Sequence, residues 1–290
     1  MNFNQLNVFL CTAKYEHFTK ASNELLISQP SLSRIIKELE SELEVPLFTR
    51  YKKKITLSEY GKVLLKHTNN IFSELNDIKS EISDMRNDTQ KNVSLSLYSA
   101  STPFQKLIAS FNKKYPNIHL KIIQYGMSEK EEYETDLSLY STIIPIHKEN
   151  NIQLLEEEIL LALPISMNYK SEKIVDLSDF KNKEFICLQK KKDLREITDY
   201  YCALSGFSPN VVLESDSPST IKQFISLGLG ISFVPSITWK DVKDSKIKLL
   251  HIQSPKCKRY INLSWKKNSY LSKASLLFKD FVINNFNNYL

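Results

Sequence analysis

Hydroxyl and amide side chains crowd the start of one helical segment, SQPSLSRIIKELE at 28–40. Ser28 is suited to cap a helix, and Pro30 is tolerated in a first turn because its missing N–H has no helical partner there. Gln29 can bond an adenine edge through two atoms, while Ser31 and Ser33 are short enough for close approach to bases. The pattern is typical of a helix that enters the DNA major groove, but a capped helix facing water would share it.

The rest of this segment is amphipathic. At about 100° per residue its core face is apolar, and it consists of Leu32, Ile36, Leu39 and Leu43. Arg34 and Lys37 lie on the opposite side, where they would reach phosphates or guanine. Two earlier helices are predicted, near 4–14 and 19–26, and the short break before Ser28 completes a helix-turn-helix pattern.

A basic, alternating stretch follows, VPLFTRYKKKITLS at 45–58. Apolar and polar residues alternate as in a β-ribbon, which predicts a wing beside the helix-turn-helix. Its cations are Arg50, Lys52, Lys53 and Lys54. Such cations would bind backbone phosphates with an affinity that depends on salt and not on sequence.

Residues 18–61 resemble the winged helix-turn-helix of LysR-type transcriptional regulators. The matching positions are Phe18, Thr19, Ala21, Leu25, Gln29, Pro30, Ser33, Ile36, Leu39, Glu40, Leu43, VPLF at 45–48, Arg50, Leu57 and Gly61. The resemblance implies a sequence-specific regulator of transcription that binds double-stranded DNA and is controlled by a small-molecule effector. It places DNA contacts at Thr19, Gln29, Pro30, Ser31, Ser33 and Arg34, and in the wing at Arg50.

Three positions depart from the family pattern. Glu44 stands where the family has glycine after the recognition helix, which predicts a different turn, because a left-handed cap favours glycine. Ser22 replaces a common alanine and Ile35 a polar residue. These departures concern local geometry.

A long helix is predicted over 59–90. Its narrow apolar stripe is typical of a coiled-coil seam, and it comprises Leu64, Ile71, Leu75, Ile78, Ile82 and Met85. The stripe would alternatively pack on the chain's own C-terminal domain. The resemblance implies a dimerising linker helix, a homodimer or homotetramer, a partly palindromic operator and RNA polymerase as a further partner.

The predicted fold class is α/β overall. It comprises a winged helix-turn-helix at 1–58, the linker at 59–90 and an effector domain at 91–290 that resembles type 2 periplasmic-binding folds. Lobe I is expected at about 91–160 and 265–290, and lobe II at about 161–264. Strands alternating with helices from Lys91 onward support this division.

Hydroxyls at strand-to-helix junctions are the candidate effector ligands. Ser99, Ser101 and Thr102 precede a helix whose N-terminus favours an anion, so an anionic effector is expected. Ser141, Thr142 and Gln189 match other cleft-lining junctions of the family. The alternative for each hydroxyl is that it is an ordinary helix cap or turn residue without a ligand role. The acidic stretches at 129–136 and 156–158 are expected to be solvated surface.

Other function classes find little support in the sequence. None of the nucleotide-loop, nucleophile-elbow or zinc-protease motifs occurs, so an enzyme is not expected. A solute-binding protein would lack the first ninety residues, whereas a regulator without effector sensing stays open. Scattered cysteines and histidines predict no metal site and no cofactor. No apolar run or leader pattern occurs, which favours the cytoplasm without membrane association.

Overall fold

Three short helices, a hairpin and one long helix form the N-terminal unit of the computed structural model. The structure describes residues 1–51, 54–86, 91–99, 101–124, 135–167, 169, 174–190, 192–239, 245–267 and 269–290. The first unit comprises α1 (Phe3–Tyr15), α2 (Phe18–Glu24), α3 (Gln29–Leu43), β1 (Phe48–Tyr51), β2 (Lys54–Leu57) and α4 (Glu59–Met85).

The helices of this unit share one apolar core. Phe9 of α1 and Leu32 and Leu39 of α3 are fully buried in it, and Phe48 packs on Phe9 with ring centroids 5.6 Å apart. Ser22 is also buried, and its hydroxyl donates to the carbonyl of Thr19 at 3.0 Å, so the departure from alanine is accommodated within α2. The core therefore fixes the face that α3 buries and the face that it exposes.

The turn after α3 corrects one expectation. Glu44 adopts the left-handed conformation, with φ 56°, and its N–H donates to the carbonyl of Glu40. The turn expected to differ thus keeps the glycine-type geometry, which costs a non-glycine residue about 1–2 kcal/mol. The Glu40 carboxylate compensates by accepting from the N–H groups of Leu47 and Phe48, at 2.7 and 3.2 Å.

The C-terminal unit begins after Arg86 and is mixed α/β. Its elements are β3 (Lys91–Leu97), α5 (Ser101–Lys114), β4 (Ile118–Gln124), β5 (Leu137–Thr142), β6 (Asn151–Pro164), β7 (Ile174–Asp176), β8 (Glu184–Leu188), α6 (Asp193–Leu204), β9 (Asn210–Ser215), α7 (Pro218–Ser226), β10 (Ser232–Pro235), β11 (Ile247–Ser254), β12 (Lys258–Trp265) and α8 (Lys273–Asn285).

Two lobes share the long strand β6. Its first half pairs with β12, which continues through β5 and β3 to β4 as the sheet of lobe I. Its second half pairs with β10 and β11 of lobe II, where β8 and β9 also form a parallel pair. Aromatic side chains of α5 and α8 fill lobe I, while a separate apolar cluster fills lobe II.

The register of β6 locates the crossing between lobes. Glu158 pairs with Lys258 of β12, and Ile159 pairs with Pro235 of β10, so the chain enters lobe II at this step. Because all of β12 pairs with lobe I strands, the chain returns near Lys258, earlier than the predicted return near Ser264.

A buried ion pair spans this crossing. Arg259 Nε donates to Glu157 Oε1 at 2.8 Å, and both side chains are almost fully buried. The other oxygen of Glu157 accepts from the N–H groups of Ile237 and Thr238, each at 2.9 Å. The Thr238 hydroxyl donates to Glu157 Oε1 and accepts from Arg259, at 2.8 and 2.6 Å.

This pair corrects the expectation that 156–158 is solvated surface. Successive strand residues face opposite sides of a sheet, so Glu157 turns inward between two residues that turn outward. The outward Glu156 pairs with Lys258 at the surface. One acidic run therefore contains one buried structural carboxylate.

Substituting Glu157 tests how strongly the crossing depends on the pair. We expect Glu157→Gln to lower the free energy of unfolding of the C-terminal unit by about 3–5 kcal/mol, because Arg259 stays buried without its counter-charge. Glu156→Gln is the matched control and should cost under about 1 kcal/mol, since its pair is half-exposed. Urea denaturation compares them, and equal losses would contradict this account.

Candidate functional site

The start of α3 presents polar side chains to the outside of the N-terminal unit. Gln29, Pro30 and Ser31 are exposed, and Ser33 is half-buried. Ser28 caps the helix, since its Oγ accepts from the N–H of Ser31 at 3.3 Å. The helix therefore begins with short polar side chains at an exposed surface, and these can approach a base edge or a phosphate.

The preceding helix contributes to the same surface. Thr19 of α2 is exposed, and its hydroxyl donates to Gln29 Oε1 at 3.3 Å. Arg34 and Lys37 are exposed farther along α3, and Arg34 Nε lies 3.6 Å from Glu38 Oε1. The structure thus places Thr19 beside the predicted base-reading residues. A weak surface ion pair leaves Arg34 available to exchange partners.

The wing is an antiparallel hairpin, as the alternating stretch predicts. β1 and β2 pair with Phe48 opposite Leu57 and Arg50 opposite Ile55. The Leu57 N–H donates to Glu16 Oε1 at 3.2 Å, which ties β2 to the end of α1. Arg50 and Lys54 lie in these strands, but their side chains, and Lys52 and Lys53 altogether, lie outside the described residues.

The long helix α4 carries an exposed apolar row. Ile71, Ile78, Ile82 and Met85 are exposed and Leu75 is half-buried. Leu64, predicted as the first member of this row, instead packs against the core of its own unit. The row therefore starts about two turns later than the sequence analysis expects.

A network of hydroxyls and one carboxylate lies between the lobes of the C-terminal unit. The Ser99 hydroxyl donates to Asp193 Oδ2 at 3.0 Å, and its oxygen lies 2.9 Å from Ser141 Oγ. The N–H and the hydroxyl of Ser141 reach the same Asp193 oxygen, at 2.6 and 3.2 Å. Two predicted effector ligands are thus brought together, and a residue from the other lobe bonds to both.

Other predicted ligands are placed differently. The Thr142 hydroxyl donates to the carbonyl of Ile144 at 2.7 Å and accepts from the Asn262 amide at 3.0 Å. Gln189 lies after β8, where its N–H donates to the carbonyl of Ser215 at 3.0 Å. Ser101 and Thr102 open α5, but their side chains lie outside the described residues.

Asp193 is the site residue that the sequence analysis missed. Burial raises the pKa of its carboxyl, while the bonds from Ser141 and Ser99 and the positive charge of Arg259 oppose that rise. Its only sequence signal is its place in the first turn of α6, where acidic residues are common for helix stability alone.

Comparison with known proteins gives two family matches. Residues 3–62 match the bacterial regulatory helix-turn-helix protein of the lysR family, and residues 90–287 match the LysR substrate binding domain. The HTH-type transcriptional regulator YybE of Bacillus subtilis is 33% identical over 99% of both chains. A probable RuBisCO transcriptional regulator of Phaeodactylum tricornutum is 27% identical over 95% of this chain and 94% of its own length.

Solved structures of regulators share the fold. Full-length OxyR from Pseudomonas aeruginosa superimposes with a TM-score of 0.64 at 19% identity, covering 99% of this chain and 95% of that one. CbnR, a LysR family transcriptional regulator, gives 0.59 at 18% identity, covering 98% and 99%. The predicted family and α/β fold class are confirmed, and the similarity is to regulators, not to enzymes.

The cysteines differ in exposure. Burial raises the pKa of Cys187 and of Cys257 to about 12, and it also raises the pKa of Cys202. Cys11 is half-buried, and burial raises its pKa as well. Among the residues that the structure describes, no group of three or more His, Cys, Asp or Glu side chains is arranged to hold a metal ion.

Thiol labelling should follow this order. At pH 8 a thiol with a pKa of about 12 has a thiolate fraction on the order of a thousandfold below that of a free cysteine. We therefore expect iodoacetamide to label Cys11 first in the native protein, and Cys11→Ser to abolish rapid labelling. Peptide mass analysis reads out the sites, with urea-unfolded chain as control. Fast native labelling of Cys187 would contradict the prediction.

Proposed function

The chain belongs to the LysR family of transcriptional regulators, and on this basis we propose that it binds operator DNA sequence-specifically under control of a small-molecule effector. The observation that carries the proposal is the exposed polar start of α3, within the segment that matches the regulatory helix-turn-helix and that also contains the wing. A base-reading element and a phosphate-binding element thus belong to one unit.

The division of labour follows from the side chains. The N-terminal turn of α3 enters the major groove, where Gln29 reads adenine and Ser31 and Ser33 allow close approach. Arg34, Lys37 and Thr19 contact guanine or flanking phosphates. The wing cations, Arg50 and Lys52 to Lys54, bind phosphates and supply the salt-dependent part of the affinity.

Two chains act together on one operator. The exposed row on α4 buries its apolar surface against the α4 of a second copy. A two-fold dimer, or a tetramer built from two such dimers, reads a partly palindromic site with half-sites about one helical turn apart. Among the proteins of similar fold, CbnR has been solved as a complex with its target DNA. RNA polymerase is the further partner, and the cytoplasm is the place of action.

The effector binds between the two lobes and changes how they close. Strand β6 and the turn between β11 and β12 connect the lobes, so a change in closure bends the chain near Glu158 and Lys258. A ligand shifts this equilibrium only as far as it binds one lobe arrangement better than the other. The shift then alters the placement of the DNA-binding units within the oligomer.

Single substitutions on α3 test base reading. We expect Gln29→Ala and Arg34→Ala each to weaken operator binding by about 1–3 kcal/mol while leaving non-specific binding largely intact, because a side chain that reads a base edge adds affinity for the operator alone. Ser41→Ala, at the exposed far end of the same helix, is the control and should bind as wild type. Fluorescence anisotropy with operator and scrambled DNA measures both affinities. Equal losses on the two DNAs would assign these side chains to phosphates instead.

A charge placed in the apolar row tests dimerisation. Ile78→Asp should raise the dimer dissociation constant at least tenfold, because a carboxylate would be desolvated in the seam. Lys79→Asp, next to it and exposed, should leave the constant within about threefold of wild type. Sedimentation equilibrium measures the constants, and circular dichroism checks that the helices persist. A dimer undisturbed by Ile78→Asp would place the interface elsewhere.

A further inference from the structure

The carboxylate of Asp193 joins the two lobes of the C-terminal unit. Asp193 is the first residue of α6 in lobe II, whereas Ser99 follows β3 and Ser141 lies on β5, both in lobe I. One oxygen, Oδ2, accepts from the hydroxyls of both serines and from the Ser141 N–H, at 2.6 to 3.2 Å. Three donors of one lobe therefore converge on a single oxygen of the other, at a partly buried position.

These donors are the groups that an anionic ligand would use. Ser99 and Ser141 are predicted effector ligands, and a backbone N–H with two hydroxyls is a typical cradle for a carboxylate or phosphate oxygen. Ser99 and Ser141 are themselves buried, so the cradle is closed to water on the side of lobe I. The carboxylate of Asp193 therefore occupies the position at which an anionic group of the effector is expected from the sequence.

Asp193 is held in position by the rest of α6. Arg195, the third residue of the helix, binds Asp199 through Nε at 2.9 Å and also pairs with Glu214 of β9. The Tyr201 hydroxyl donates to the carbonyl of Lys258 and accepts from its N–H, at 2.8 and 2.9 Å. The helix is therefore fastened both to lobe II and to the start of β12 in lobe I.

The charges around this carboxylate disfavour a second anion. Arg259 acts on Asp193 as a positive charge, but its guanidinium already donates to Glu157 and Thr238. Glu196, on the same face of α6, adds negative charge, and its own pKa is raised by burial and then by Asp193. An incoming carboxylate would meet occupied donors and two nearby acidic groups.

We propose that Asp193 is a built-in ligand of the effector cleft, which fills the anion subsite formed by Ser99 and Ser141 and so selects an effector that presents an ammonium or hydroxyl group there. The inference rests on the proposed control by an effector and specifies the chemical class of that effector. A donor group on the effector would bond to the Asp193 carboxylate, whereas a carboxylate or phosphate would have to displace it.

Carboxylate rescue tests the assignment in the full-length protein. Asp193→Ala should lower Tm by roughly 5 °C, because it empties the subsite and leaves three donors without their acceptor. Acetate or formate should restore most of that loss at constant ionic strength, and should leave the wild-type Tm unchanged. If Asp193→Ala does not fold in plain buffer, the refolding yield with and without formate is measured instead of Tm. A higher yield with formate then counts as rescue, and an unchanged yield counts as no rescue.

Asp176→Ala is the matched control. Its carboxylate also accepts from a backbone N–H and a serine hydroxyl, both of Ser178, at 3.0 and 2.7 Å, but at the protein surface. Water fills that position after truncation, so acetate should restore nothing. Rescue of both variants alike would show a general salt effect, and rescue of neither would show that the Asp193 position takes no free anion. Either result overturns the proposal.

The ligand class is tested on the wild type with simple probes. Small amines and polyols should raise its Tm in a manner that Asp193→Ala abolishes, whereas acetate and inorganic phosphate should not. If acetate or phosphate raised the Tm of the wild type as much as it raises the Tm of Asp193→Ala, the proposal would be overturned. The subsite of the wild type would then be open to anions.

Operator binding by the same preparations separates this inference from the proposed function. If the protein binds operator DNA sequence-specifically but carboxylates do not rescue Asp193→Ala, only the assignment of Asp193 fails and the proposed function stands. Rescue in a protein that binds no operator defeats the proposed regulator and leaves the assignment of Asp193 standing.

Discussion

The buried pair of Glu157 and Arg259 is the constraint on which the C-terminal unit depends. It lies where β6 passes from one lobe to the other and where β12 begins in lobe I, and its charges are tolerable only because each is bonded to the other and to Thr238. The pair fixes the register of the crossing strands and lies close enough to act electrostatically on Asp193. The geometry of the crossing and the chemistry of the cleft are therefore linked.

In the N-terminal unit, helix α3 exposes polar groups on one face and is held in place by the apolar residues of the other face. The apolar face of α3 is buried through Leu32 and Leu39, so its opposite face is free to be polar. Glu40 bonds the two N–H groups that lead into the wing, and this couples the position of the wing to that of α3. The exposed face of α3 and the wing thus keep a fixed geometry within one unit.

The sequence predicts these two units unequally. Local signals, namely helical period, a capping serine and an alternating basic stretch, specify α3 and the wing, so both are found where expected. Asp193 and Glu157 escape such signals because their partners are distant, with Ser99 separated from Asp193 by 94 residues and Arg259 from Glu157 by 102. Leu64 shows the same limit, since an apolar stripe on a helix does not reveal which of its residues pack on the core of their own unit.

Base reading by α3 is best tested by selecting bound fragments from genomic DNA with the full-length protein at two salt concentrations. We expect a partly palindromic site that remains enriched at the higher salt, because base contacts by α3 persist when phosphate contacts weaken. Recovery of sequence-unrelated fragments, lost together at the higher salt, would contradict base reading by α3.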